Sequence, residues 1–203
     1  MSFFRKIRKS ILYDKKKSKS DSDAIFSLSS AIITLETKIG LKATGRCALT
    51  TKSANGMYFD QMKDEVQRFL NISKPDFELT YRTVIDPYGY LWVILVGRMP
   101  EDILAAITAV SDTIQEKGFS AQLLAAIFEF SQGQKAIGTQ NNNENMQYLI
   151  YNYKSNKFYP FVPFIGKKTR NTEDEMKLMA TIQDQVPFER DMAMWYPLWD
   201  LPF

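Results

Sequence analysis

The sequence predicts an α+β fold, in which a mostly antiparallel sheet of about five to six strands has helices packed against it. Two pairs of β-rich segments are joined by short turns, which favours hairpins and therefore antiparallel pairing. Segments with a helical spacing of apolar residues lie before, between and after these pairs. The predicted element order is α-β-α-ββ-α-β-ββ-α.

The body of the chain, residues 22–203, is expected to form one α+β domain that begins with a helix. The apolar residues of this helix are Ile25, Leu28, Ile32, Leu35 and Ile39. Gly40 follows them and suits the left-handed conformation that commonly ends a helix. A strand is predicted over 45–52. The next helix is marked by Phe59, Met62, Val66 and Phe69.

Two β-rich segments, 77–85 and 90–97, are joined by the sequence Asp-Pro-Tyr-Gly at 86–89. Asp in the first position, Pro in the second and Gly in the fourth are typical of a type I turn, so a hairpin is predicted. The helix that follows should begin at Pro100 and end at Gly118. Its predicted buried stripe is Ile103, Ile107, Val110 and Ile114.

The segment 121–130 is apolar in both alternations, which predicts a central strand covered on both faces. A polar loop is expected over 131–145. The segments 147–153 and 157–164 predict a second hairpin. Pro160 places its last strand at an edge of the sheet, because proline cannot donate to a strand ladder.

The last predicted helix begins near Thr172 and stops before Pro187. Thr172 and Glu175 have the spacing of a capping box, in which each side chain bonds the other residue's backbone. Met176, Met179 and Ile182 are expected to face inward.

Residues 1–21, the N-terminal arm, differ in composition from the body. Residues 1–20 carry eight Lys/Arg and one Asp, whereas the rest of the chain carries 18 basic and 22 acidic residues. On a helical wheel the apolar side chains of the arm fall within an arc of about 100°. The apolar set is Phe3, Phe4, Ile7 and Ile11, and the cations are Arg5, Lys6, Arg8 and Lys9. This pattern is typical of helices that bind anionic membrane surfaces.

Two other interpretations of the arm are a disordered basic tail and a helix docked on its own domain. The segment 15–23, KKKSKSDSD, is polar and repetitive, which predicts a flexible linker between the arm and the body. One short helix without a lipid would bind a membrane weakly, so the membrane hypothesis requires oligomerisation or a partner.

The last nine residues, WYPLWDLPF at 195–203, are too apolar to remain in water without a cost. Pro197 and Pro202 disfavour a regular helix or strand, so an extended strap over the aromatic hairpin is expected. The alternative is a peptide that binds a partner. The residues predicted to form the strap or the partner contact are Tyr151, Tyr153, Phe158, Tyr159, Phe161, Trp195, Tyr196 and Trp199.

The chain has no histidine and a single cysteine, Cys47. This composition excludes triads with a histidine base and zinc sites built from histidine or several thiolates within the chain. Acidic clusters such as 173–175 lie at predicted helix starts, where the helix dipole explains them. We therefore expect a non-enzymatic protein without catalytic residues, metal site or cofactor. A carboxylate-based, metal-dependent hydrolase is an alternative.

Charge and hydropathy limit the partners and the cellular compartment that we expect for this chain. The mildly acidic body argues against nucleic acid as a partner, and the aromatic residues of the second hairpin are interpreted as cross-strand packing. The single cysteine and the lack of a signal peptide favour the cytoplasm. No apolar run approaches the roughly 20 residues that span a bilayer. We expect a cytoplasmic protein that is peripheral at the inner face of the cell membrane where its arm binds lipid.

Five segments rich in aromatic residues form a distinctive set along the body. They are DAIFSLSSAIITLE (23–36), DPYGYLWVIL (86–95), GFSAQLLAAIFEF (118–130), YLIYNYKSNKFYPFVP (148–163) and WYPLWDLP (195–202). Together they resemble the PspAB family, which comprises PspA-associated proteins of archaea and some bacteria. The resemblance implies an accessory or adaptor role in a phage-shock-type envelope stress response, and it carries over no active-site residues.

The same resemblance implies two protein partners, a PspA-like protein and an HtpX-type membrane protease. The expected mode of action is protein–protein contact at the cytoplasmic membrane surface. The element order is also similar to that of type III secretion chaperones, with an extra helix after the first strand. A chaperone-like binder of unfolded or partner segments is therefore a second alternative, and it predicts a homodimer with an exposed apolar groove.

Overall fold

A computed structural model describes most of the chain. Its backbone covers residues 3–52, 57–73, 79–132 and 146–203, and its side chains cover 20–52, 60–71, 79–132 and 146–203. The helices are α1 (Phe3–Ile39), α2 (Met57–Ser73), α3 (Pro100–Glu116) and α4 (Thr172–Ile182). The strands are β1 (Leu41–Thr51), β2 (Leu79–Ile85), β3 (Leu91–Gly97), β4 (Leu123–Gln132), β5 (Met146–Asn152) and β6 (Lys157–Phe161).

The six strands form one sheet in the order β2-β3-β1-β4-β5-β6, and every neighbouring pair is antiparallel. The predicted α+β class is confirmed, and so is the predicted order of the elements. β4 lies inside the sheet between β1 and β5, whereas β6, which contains Pro160, lies at an edge. In the first hairpin the Gly89 amide donates to the Asp86 carbonyl at 2.9 Å, as the turn sequence predicts.

One face of the sheet carries the helices. A row of directly opposed residues crosses all six strands on this face: Thr83, Val93, Leu49, Ala126, Tyr151 and Phe158. Gln67 of α2 donates to Thr83 at 3.3 Å, and the Tyr151 hydroxyl donates to Asp21 of α1 at 2.6 Å. The predicted stripe of α3 is buried. The next row, on the opposite face, therefore points away from the helices, because side chains alternate along a strand.

Helix α1 is continuous from Phe3 to Ile39, so residues 15–23 are helical where their composition predicts a flexible linker. Lysine has a high helix propensity, and the contact of Asp21 with Tyr151 ties this stretch to the sheet. Gly40 follows the helix at φ 70°, as predicted.

Two predictions about α4 are wrong. Its N-cap is Asn171, whose side chain accepts from the Asp174 amide at 3.2 Å, so Thr172 is already inside the helix. Glu175 faces inward together with Leu178 and Ile182, and Met176 is therefore exposed. The sequence interpretation assigned Glu175 to a helix cap, so it placed the inward face at Met176 and Met179, one position away from Glu175 and Leu178. The predicted loop over 131–145 falls largely on residues 133–145, which lie outside the described residues, as does the side chain of Phe59.

Candidate interaction surface

The C-terminal tail, residues 195–203, lies across the sheet face that does not carry the helices. The ring of Trp199 meets Phe161 of β6 edge-on, with centroids 5.1 Å apart. The ring of Phe203 stacks on Tyr148 of β5 at 5.9 Å. At the far side of the sheet, Arg82 of β2 donates to the carbonyl of Pro202. The tail thus contacts strands from both edges of the sheet.

Trp195, at the start of the tail, is the most buried tail residue, with only 2 % of its surface exposed. Its indole NH donates to the Glu189 carbonyl at 2.9 Å, and its ring meets Phe188 edge-on. Tyr196, the next residue, is half exposed. Burial of the indole ring removes apolar surface from water, and the hydrogen bond satisfies its NH group, so both stabilise the folded protein.

Arg170 joins the tail to the rest of the fold. Its guanidinium donates to the Glu175 carboxylate at 2.8 and 3.1 Å, to the Trp195 carbonyl at 2.6 Å and to the Pro160 carbonyl at 3.2 Å. Glu175 also accepts from the Val162 amide at 2.9 Å. Burial raises the pKa of Glu175, while the bonds from Arg170 and Val162 act in the opposite direction. This cluster was missed from the sequence, where Glu175 was assigned to a helix cap.

A second ion pair lies under the end of the tail. The Arg46 side chain donates to the Glu129 carboxylate at 2.7 Å, and the Thr44 hydroxyl donates to the same oxygen at 2.8 Å. Arg46 also lies over the ring of Phe203, 5.8 Å from its centroid. The last residue therefore covers a nearly buried carboxylate, Glu129, and its partner.

The aromatic residues predicted to form one surface are divided between the two faces. Tyr151, Tyr153 and Phe158 lie on the helix face with none of their surface exposed. A partner of the folded protein cannot reach these three rings. Tyr159 and Phe161 lie on the tail face, as strand alternation requires. Within each strand the two sets occupy alternate positions, so the sequence already contained the information that separates them.

The residues predicted to contact a membrane lie within the first part of α1. They are Phe3, Phe4, Arg5, Lys6, Ile7, Arg8, Lys9 and Ile11. Their backbone is helical, and their side chains lie outside the described residues. No helix in the described part of the chain has an apolar stretch long enough to cross a membrane.

Two depressions border the tail. A groove of about 530 Å³ lies on the tail face, with Trp92, Thr50 and Ala125 at its floor and Tyr196 and Leu198 in its wall. A cleft of about 420 Å³ lies between the tail and the loop at 163–168. Both exist because a tail without regular structure does not fill the pleated surface beneath it evenly.

The buried cysteine and three of the most buried glutamates among the described residues are engaged in packing or ion pairs. Cys47 is fully buried in β1, and burial raises the pKa of its thiol far above the usual range. Glu175, Glu129 and Glu189 each pair with a cation, on Arg170, Arg46 and Lys157 respectively. Among the described residues, no three cysteine or acidic side chains come close enough together to hold a metal ion.

Comparison with known proteins identifies the family of this chain. No curated protein and no solved structure matches it significantly. A family model described as PspAB, PspA associated protein B, matches residues 1–203, which is the whole chain. The five aromatic segments that resemble this family include both the tail and the hairpin beneath it. The chain therefore belongs to the PspAB family of PspA-associated proteins.

Proposed function

We propose that this protein is a non-enzymatic accessory protein of a phage-shock-type envelope stress response, and that it acts by contact with PspA at the cytoplasmic membrane surface. The observation that carries the proposal is the match of the family model over the entire chain. A protein of this kind needs binding surfaces rather than a reaction centre, and three carboxylates, those of Glu129, Glu175 and Glu189, fit that role because each is held in a structural ion pair.

The proposed membrane contact is the N-terminal arm. It holds a net positive charge, whereas the rest of the chain is mildly acidic, so the arm is the part that an anionic lipid surface attracts. The arm is continuous with the part of α1 that packs on the sheet. Eighteen helical residues, Phe3 to Ser20, precede Asp21, and at about 1.5 Å per residue they extend over roughly 27 Å.

Vesicle flotation tests the membrane contact. Replacement of Arg5, Lys6, Arg8 and Lys9 by Gln should abolish binding to vesicles that contain phosphatidylglycerol. A control variant with the same loss of charge replaces four exposed lysines of the body, which are Lys38, Lys42, Lys167 and Lys177. The control should float like the native chain. Equal loss in both variants would show that only net charge matters, and it would overturn a specific role of the arm.

A pull-down tests the partner. The full chain is immobilised on beads and mixed with PspA from the same organism in detergent-free buffer, with and without vesicles, and the retained PspA is measured on a gel. We expect a complex with the native chain. The HtpX-type protease, solubilised in detergent, is tested as a second partner, because the family resemblance also implies it. Failure to retain PspA in the presence and in the absence of vesicles would contradict the proposal.

A further inference from the structure

The groove on the tail face has a floor formed by one row of the sheet. Its members are Trp92 of β3, Thr50 of β1, Ala125 of β4 and Asn152 of β5, which lie directly opposite one another. The next row on this face, Ile94, Ala48, Ile127 and Ile150, is almost completely buried. A volume of about 530 Å³ lies within the usual range for ligand sites, roughly 300–1,000 Å³.

The side chains around the groove are of the kind that binds protein segments. Aromatic residues and methionine are enriched at protein interfaces, where they supply large and adaptable contact areas. Here the walls and floor include Tyr90, Trp92, Tyr159, Met194 and Tyr196. Met194 and Tyr196 belong to the outer, exposed part of the tail region. An apolar side chain that enters this groove would contact aromatic rings on several sides.

Thr50 provides a polar group at the floor that lacks a partner. The residue is 4 % exposed, and its hydroxyl forms no hydrogen bond with any residue that the structure describes. Buried polar atoms without a partner are rare in folded proteins, and each calls for an explanation. A rotation of the threonine side chain would present the hydroxyl to a carbonyl group lying in the groove.

Lys154 provides a cation at the mouth of the groove. Its side chain is exposed, and no carboxylate among the described residues pairs with it. Its backbone amide donates to the side chain of Asn152 at 2.9 Å, which fixes the start of the turn between β5 and β6. Thr50 and Asn152 lie two strands apart, so about 10 Å separates the two polar ends of the floor.

We propose that this groove binds an extended segment of a partner protein in which an apolar residue is followed by an acidic residue. The apolar side chain packs between Trp92 and Tyr159 over Ala125, a backbone carbonyl accepts from Thr50, and the carboxylate pairs with Lys154. An acyl chain with a single anionic head would leave the hydroxyl at the floor without a partner. Thr50 and Asn152, at the two polar ends of the floor, lie about 10 Å apart, a span that roughly three residues of extended peptide cover. The inference does not depend on PspA being the partner.

Fluorescence polarisation with short labelled peptides tests the proposal. The probes are Ac-Leu-Ser-Asp-Ser and the matched Asn peptide, each with a fluorescein at its C-terminus, together with unlabelled dodecanoate as a competitor. The full-length chain is used throughout. We expect saturable binding of the Asp peptide, with an affinity about two- to fivefold higher than that of the Asn peptide. The difference is small because a partly exposed ion pair adds little to the binding free energy.

Three variants locate the binding. Lys154→Gln should remove the preference for Asp over Asn. Thr50→Val should weaken both peptides by about two- to tenfold, as expected for the loss of one hydrogen bond. It should leave the free protein at least as stable as the native chain, because the hydroxyl has no partner there. The control Lys168→Gln, beside the other cleft, should change neither affinity.

Three outcomes would overturn the proposal. The first is the absence of saturable binding for both peptides. The second is binding that Thr50→Val and Lys154→Gln leave unchanged. The third is tight binding of dodecanoate that these two variants weaken, without binding of either peptide, which would assign the groove to a lipid. Thr50→Val is nearly isosteric, so its effect on peptide affinity can be measured on a folded protein.

Discussion

At the scale of single residues, Arg170 joins the tail to the rest of the fold. Its guanidinium contacts three segments that are separate in the chain, which are the end of β6, the first turn of α4 and the start of the tail. Planar geometry and five donors allow arginine to satisfy a carboxylate and two carbonyls at once. Lysine could not replace it, because an ammonium group lacks this fork.

We predict that Arg170→Met lowers the free energy of unfolding by about 3–5 kcal/mol, because Glu175 would be left buried without its cation. Urea denaturation followed by circular dichroism measures the change. The double variant with Glu175→Gln should recover part of the loss. Lys168→Gln breaks an exposed pair with Asp200 and serves as the control; solvent screens this pair, so the urea midpoint should stay close to the native value. Similar losses for both single variants would contradict this assignment.

Burial of tyrosines gives the protein a distinct response to alkali. Burial raises the pKa of Tyr148 to about 12, with a further increase from the Glu129 charge that Arg46 partly offsets. Burial also raises the pKa values of Tyr151, Tyr153 and Tyr159. The folded state therefore holds protons that the unfolded state releases near pH 10. Their contribution to stability is complete below that pH and is lost as the pH rises above it.

We predict that these four tyrosines ionise only when the protein unfolds in alkali. Tyrosinate absorbance should rise in two stages, and the second stage should coincide with the loss of the circular dichroism signal. Tyr148→Phe should remove one tyrosine from the second stage. A single stage that is complete while the protein is still folded would show that water reaches these tyrosines on both faces of the sheet, and it would contradict the prediction.

At the scale of elements, the tail takes the place of a helical layer on the second face of the sheet. Most of its apolar residues, which include Leu198, Leu201 and Phe203, pack against the core, although the tail has no regular structure. Proline prevents a helix or a strand here, so side-chain contacts and the carbonyl bonds from Arg82 and Arg170 hold the segment. A sheet with both faces covered can bury apolar residues in both alternations, as β4 does.

Two neighbouring residues of the tail should respond very differently to substitution. Trp195→Ala should lower the free energy of unfolding by about 3–5 kcal/mol, because its ring is buried and its indole NH is bonded. Tyr196→Ala should change it by less than about 0.5 kcal/mol, since that side chain is half exposed. Thermal and urea unfolding provide the measurements. If Trp195→Ala has no more effect than Tyr196→Ala, the tail does not pack on the sheet in solution.

At the scale of the whole molecule, the net positive charge and the hydrophobic core lie in different parts of the chain. The N-terminal arm carries a net positive charge whereas the rest of the chain is net negative, and among the residues whose side chains the structure describes, the buried hydrophobic ones begin at Ala24. Helix α1 belongs to both parts, since Asp21 and Leu28 are buried in the body while the same helix continues toward residue 3.

We predict that removal of residues 1–18 leaves the free energy of unfolding within about 0.5 kcal/mol of the native value, because among the described side chains the first buried contact is that of Asp21 with Tyr151. Guanidinium denaturation of the shortened chain measures this. A loss of several kcal/mol would favour the alternative in which the arm is docked on its own domain. A chain shortened by 24 residues loses Asp21 and Ala24 and should be clearly less stable.

The sequence alone determined the order of the elements, the two hairpins and the edge position of β6. Each of these depends on neighbours in the chain: the turn at 86–89, the spacing of apolar residues in α3 and the missing amide of Pro160. Family membership was also visible from local segments. Local signals failed where a polar residue faces inward, as Glu175 does, because spacing shows which positions share a face but not which face is buried.

Only the tertiary structure decided which aromatic residues meet. Tyr148 and Tyr151 belong to one strand, yet one contacts the tail and the other contacts α1, 130 residues away in the chain. The groove over Thr50 likewise requires four strands in register and a tail that borders the groove without filling it. Such features depend on strand order and on the path of an irregular segment. These are fixed by the packing of distant parts of the chain, which no local pattern records.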